Sequence, residues 1–161
     1  MKHHPKVLPL IAVLATLGLL FSPLIEIHAE GEHTRDMTIY GLTIIGDTEK
    51  LQGLNLAQNI QLLGLGVLLV SLIASVFARQ RARLTALAIS VFIISMIPAW
   101  MMVYVEDIIK DQVAGTLSHH YTYGMLFAMV ALFCITFSIV NLRISQQVAV
   151  SRQQILDDNW E

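Results

Sequence analysis

Four apolar runs of about 20 residues divide this chain, the length needed to cross a hydrocarbon core of ~30 Å. Two of them are separated only by Arg79-Gln80-Arg81-Ala82-Arg83. A basic turn between two such runs makes a hairpin and marks the side of a membrane on which it lies. Only 14% of the 161 residues are charged, against roughly 25% in soluble domains. The mean hydropathy is +0.65. One membrane domain covering 1–161 accounts for this, with no second soluble domain.

The expected helices are 7–25, 54–78, 84–105 and 122–142. The first has a competing reading as a signal peptide, with a basic start and a possible cleavage site at Ile27-His28-Ala29. Its apolar run of about 19 residues exceeds the 7–15 of a signal core, so it is assigned as a transmembrane helix, with Pro23 in its last turn. Pro98 should kink the third helix. Trp100, Tyr104, Tyr121 and Tyr123 fall where an aromatic belt belongs. Segment 26–53 begins acidic and becomes β-branched and glycine-bounded over 37–47, which predicts one or two short strands. Segment 106–120 reads as an acidic loop. The tail, 143–161, carries Ile144, Val148 and Ile155 at roughly helical spacing and reads as a continuation of the fourth helix.

Lys2, Lys6, Arg79, Arg81, Arg83, Arg143 and Arg152 fall on one side of this layout. Arg35, Lys50 and Lys110 fall on the other, among many acids. The positive-inside rule then puts both termini and the tail in the cytoplasm. The fold class is all-α: an up-down-up-down four-helix transmembrane bundle with a small extracytoplasmic β-rich loop.

Several function classes find no support. No basic tract with interleaved aromatics points to nucleic acid. Cys134 is the single cysteine, so no internal disulfide or cysteine metal cluster can form. Ser118-His119-His120 sets a hydroxyl beside imidazoles, but neighbouring residues diverge and no nucleophile elbow is present. The helices contain no interior histidine for bis-histidine haem and no interior charge of the kind ion pumps use. A non-enzymatic protein without a cofactor is expected.

Asn55, Gln58, Asn59 and Gln61 make a polar entry to the second helix, and with Pro98 they could line a vestibule for a small carrier. Amides of this kind more often serve as hydrogen-bonding glue between packed elements. Ser71 and Ser75, four apart, allow close helix approach. His28, His33, His119 and His120 all fall on the extracytoplasmic side beside Glu26, Glu30, Glu32, Asp36, Glu106, Asp107 and Asp111. Imidazole with carboxylate suits zinc or copper, and Met101, Met102 and Met125 would favour Cu(I). Such residues are also ordinary in polar loops, and no defined metal-motif spacing occurs.

The layout resembles a family of four-helix integral membrane proteins found mainly in Bacteroidota and relatives. The resemblance rests on Leu20-Phe21-Ser22-Pro23-Leu24 ending the first helix, the β-rich loop, Phe77 running into Arg79-Gln80-Arg81, and Asn141-Leu142-Arg143-Ile144 leading to a polar helical tail. The chain departs from the pattern after Arg143, where a glutamine-rich stretch replaces an acidic residue. The resemblance implies the fold and a bacterial inner-membrane location, and brings no activity with it. The expected role is an accessory or scaffold subunit, with the lipid bilayer and other membrane subunits as partners. The alternatives are a copper- or zinc-binding membrane protein and, below it, a small carrier.

Overall fold

The computed structural model describes residues 6–31, 35–46, 54–100, 107, 110 and 115–158. They form four long helices, α1 (Val7–Phe21), α2 (Leu54–Phe77), α3 (Gln80–Trp100) and α4 (Gly124–Asp158). Four strands accompany them: β1 (Pro23–Gly31), β2 (Arg35–Tyr40), β3 (Ile44–Gly46) and β4 (Gly115–Tyr121). Each helix packs on its sequence neighbours, and α1 closes the ring against α4. Among the described residues, three segments are long and apolar enough to cross a membrane: Gln58–Phe77, Gln80–Ile97 and Gly124–Ile155.

The first helix is shorter than the expected 7–25. It stops at Phe21, and Ser22 adopts an extended conformation (φ −94°, ψ 146°). The cause is Pro23, whose ring disfavours helical geometry in the residue before it. The chain therefore passes from helix to strand with no loop between. Ser22 completes the exit by donating its hydroxyl to the Gly18 carbonyl at 2.8 Å.

Residues 79–83 are not a five-residue turn. The α2–α3 link is Ala78-Arg79, and α3 starts at Gln80 because Gln and Arg are good helix formers with nothing nearby to break them. Arg83, one turn into α3, reaches back to α2. Its Nε donates to the Ser75 carbonyl at 2.8 Å and its terminal nitrogen to Val76 at 3.5 Å. A cation on the last carbonyls of a helix satisfies groups the helix cannot, and it complements the helix dipole. Across the same helix pair the Ser71 and Ser90 hydroxyls lie 2.7 Å apart, and Ser75 donates to its own helix at Leu72. Both Ser71 and Ser75 are buried on the inner face of α2.

The expected one or two strands are instead a four-stranded antiparallel sheet, ordered β3-β2-β1-β4. β4 lies in the segment expected to be a loop and pairs along β1 from Ile25↔Tyr121 to Gly31↔Gly115. β2 pairs on the other side of β1, with His28 opposite Asp36. Alternation sends Ile25, Ile27, Met37 and Ile39 inward. There they join Leu19, Leu65, Leu68, Leu72, Leu87 and Ile135 in one core. The sheet is a lid whose inner face continues the core of the bundle.

α4 runs past the expected 142 to Asp158, as the spacing of the tail predicted. At 1.5 Å per residue its 35 residues extend roughly 52 Å.

The sheet sits hard against the helix ends. A methyl group at Gly41 would lie 2.6 Å from both the Leu19 carbonyl oxygen and the Leu20 Cα, whereas one at Gly64 would meet nothing within 4 Å. Gly41→Ala should therefore lower the unfolding temperature in detergent by roughly 2–12 °C, the range for overpacking of about 1–3 kcal/mol. Gly64→Ala should leave it unchanged or slightly higher, and a calorimetric scan of the two variants checks the contrast.

Candidate functional site

The end of the bundle that carries the sheet holds two polar constellations. The first is a clamp on the turn between β2 and β3. Residues 40–43 close a tight turn, with the Tyr40 amide donating to the Thr43 carbonyl at 2.8 Å. The carbonyls of Tyr40, Gly41 and Leu42 point to α2. Gln61 donates to Tyr40 and Gly41, both at 3.0 Å, and Gln58 to Leu42 at 3.1 Å. From the other side, the Leu42 amide donates to the Leu20 carbonyl at the end of α1 at 3.1 Å. Gln61 is buried, so it could be tolerated there only with its amide engaged.

The two glutamines lie three apart and share a face of α2. Asn59 is exposed, and the Asn55 side chain lies outside the described ones. Of the four amides at the α2 entry, the two glutamines bind the lid. A cleft of about 150 Å³ between α2 and α3 does exist below them, lined by Ile60, Gln61, Gly64, Ile93, Met96 and Trp100. Its lining is almost wholly apolar. α3 runs through Pro98 to Trp100.

The second constellation covers the sheet face turned away from the bundle. Period-two alternation puts Glu26 and His28 of β1, Asp36 and Thr38 of β2, and Ser118 and His120 of β4 on this face. His28 Nδ1 lies 2.7 Å from Asp36 Oδ1. The rings of His28 and His120 have centroids 6.2 Å apart and are tilted by 59°. Glu26 stands in register opposite His120. Both members of the His28–Asp36 pair are substantially exposed, so the contact orients the ring and contributes little to stability.

Of the four histidines proposed from the sequence, the fold brings His28 and His120 together. The backbone of His119 sits in register opposite Ile27, and its side chain lies outside the described ones. His33 lies outside the described residues, as do Met101 and Met102. Among the described residues no three His, Cys, Asp or Glu side chains already converge on one ion position. Of the three arginines, Arg79 and Arg81 are exposed and Arg83 is partly buried on α2.

Sequence reasoning missed the residues that weld strand to helix. Thr122 donates its amide to the Leu24 carbonyl at 3.1 Å and its hydroxyl to the Pro23 carbonyl. Gly124, two residues on, lies so close to Pro23 that a Cβ there would overlap its carbonyl oxygen. A threonine just before an apolar helix was readable as a cap. That its hydroxyl serves a strand 99 residues away was not.

No family model matches the chain, and no curated protein matches it.

Gln61→Leu should cost about 1–3 kcal/mol, because it strips the buried Gly41 carbonyl and the partly buried Tyr40 carbonyl of their donor. Asn59→Leu should stay within about 0.5 kcal/mol. Equilibrium unfolding in mixed micelles measures both.

Proposed function

We propose that this chain is a non-enzymatic accessory or scaffold subunit of a bacterial inner-membrane assembly. Its four helices cross the bilayer, its sheet caps them on the extracytoplasmic side, and both termini lie in the cytoplasm.

The observation that carries this reading is the inversion of the bundle's surface. Leu14, Phe21, Leu63, Val70, Phe77, Phe92, Leu126, Met129 and Phe133 are all exposed, and they represent all four helices. Apolar patches on a soluble monomer seldom exceed about 300–600 Å², and a girdle this wide needs lipid or protein around it. Apart from Gln61 beneath the lid, the described interior holds aliphatic side chains, Cys134 and a few hydroxyls. The hydroxyls of Thr16, Ser75 and Ser138 donate to carbonyls of their own helices. No Asp, Glu, Lys, Arg or His lies within 54–78, 84–105 or 122–142. Carriers and pumps usually place charges along their pathway, so the bundle is better suited to holding a shape than to moving an ion.

α1 needs an account, since its 15 residues reach only about 22 Å. The first strand residues make up the difference. Pro23, Leu24 and Ile25 are buried, and three extended residues add ~10 Å. The sum of about 32 Å matches the hydrocarbon thickness. Extended backbone at that depth is tolerable because its groups find protein partners: Thr122 donates to the Pro23 and Leu24 carbonyls, and Ile25 pairs with Ile39 on one side and Tyr121 on the other.

A scaffold role also gives α4 a purpose. About 20 of its residues suffice for the crossing, which leaves some four turns beyond Arg143 projecting into the cytoplasm.

Extraction of the native protein in mild detergent, followed by mass measurement and identification of co-purifying chains, tests the role. The expected result is a stable particle well above the 17.9 kDa chain containing other membrane proteins. A monodisperse lone monomer would contradict it.

A further inference from the structure

We propose that His28 and His120 together bind a divalent transition-metal ion of the copper–zinc class on the solvent-facing side of the sheet, with Asp36 as the positioning residue. The proposal stands independently of the scaffold role and of any membrane crossing.

The sheet topology does the assembling. β1 lies between β2 and β4, so a β1 side chain on the outer face has neighbours from both flanking strands. His28 has Asp36 beside it on β2 and Ser118 on β4. His120 stands two residues along from Ser118, on the same face and diagonal to His28.

The ring geometry then favours a shared ion. Asp36 Oδ1, 2.7 Å from His28 Nδ1, is an acceptor and so holds the proton on Nδ1. This leaves Nε2 with its lone pair available. The two nitrogens flank Cε1, and their outward directions diverge widely. With Nδ1 held by Asp36 on β2, Nε2 faces away from that partner, and His120 approaches from β4, the strand on the other side of β1. A carboxylate on the second nitrogen of a ligating histidine is the usual outer support of a metal site, and its loss typically weakens binding 10–100-fold.

The spacing sets the angle. With metal–nitrogen bonds of 2.0–2.1 Å, an ion sits about 3.2 Å from each ring centre, so two ligating rings lie about 5 Å apart at a tetrahedral angle and up to about 6.4 Å apart when opposite one another. The observed 6.2 Å is near the second limit, which suits a tetragonal Cu2+, and a small rotation of either exposed ring closes it for Zn2+. Glu26, opposite His120 on the same face, is the nearest source of a third ligand, and water supplies the rest. With no preassembled third ligand among the described residues, coordination is open and the ion exchangeable. Affinity should rank Cu2+ above Zn2+, following the general order for nitrogen and oxygen sites.

The test uses the full chain in detergent, carrying a tag without histidines. His3→Ala and His4→Ala are included so that the amino-terminal pair does not compete. Metal-free protein is titrated with Zn2+ and with Cu2+, and the Cu2+ complex is examined by electron spin-echo spectroscopy. One ion per chain and two coupled imidazoles are expected. His28→Ala or His120→Ala should each lower affinity at least ten-fold and leave one imidazole signal. Asp36→Asn should weaken binding about ten-fold while keeping both signals, which a merely structural His28–Asp36 contact would not do. All three positions are on the exposed face, and unchanged thermal unfolding of the variants confirms that the fold persists. Absence of stoichiometric binding overturns the proposal. So does binding that survives removal of both imidazoles.

Discussion

Backbone hydrogen bonding at the junction of helix and sheet is the constraint on which this structure depends. α1 becomes β1 at Ser22 without a connecting loop, so polar main-chain groups appear where a continuing helix would have satisfied them internally. Their partners come from elsewhere. β2 and β4 flank β1 along most of its length, Thr122 serves Pro23 and Leu24, and Leu42 reaches Leu20. The two α2 glutamines supply the turn carbonyls that no strand can reach. An unmet backbone group is costly when buried from water and more costly still near lipid. The lid therefore forms as a unit with the helix ends.

From that junction the rest of the architecture follows. The strands bring their alternating apolar residues onto the bundle axis, so that Ile27 and Met37 are as deeply buried as Leu68 of α2. The polar alternates are left together on the opposite face. The same alternation that seals the core thus gathers Glu26, His28, Asp36 and His120 from three strands. At the other end, the α2–α3 hairpin is closed by Arg83 bonding the end of its partner helix. The basic cluster supplies positive charge at that end, and one of its three arginines also makes a specific structural bond.

The helices were legible because apolar run length is a local signal. The glutamine clamp was half legible: amides at the α2 entry called for partners, but those partners are carbonyls 16–21 residues away in sequence. The end of α1 was misplaced although Pro23 announced it, since a proline in a last turn and a proline starting a strand look alike without the partners. β1 carries a clean alternation, Ile25-Glu26-Ile27-His28-Ala29-Glu30, which its acidic content obscured. β4 was the least readable. Gly115-Thr116-Leu117-Ser118-His119-His120-Tyr121 is a strand because β1 offers it an edge, a non-local cause. The pairing of His28 with His120 depends on that register and could not be read before it.

Single-cysteine labelling in spheroplasts tests the membrane arrangement most directly. In a Cys134→Ser background, Thr43→Cys lies on the exposed β2–β3 turn and Gln147→Cys on the exposed end of α4. An impermeant maleimide should modify the first in intact spheroplasts and the second only after lysis. Equal labelling of both before lysis, or the reverse order, would contradict a bundle that spans the bilayer with its sheet outside.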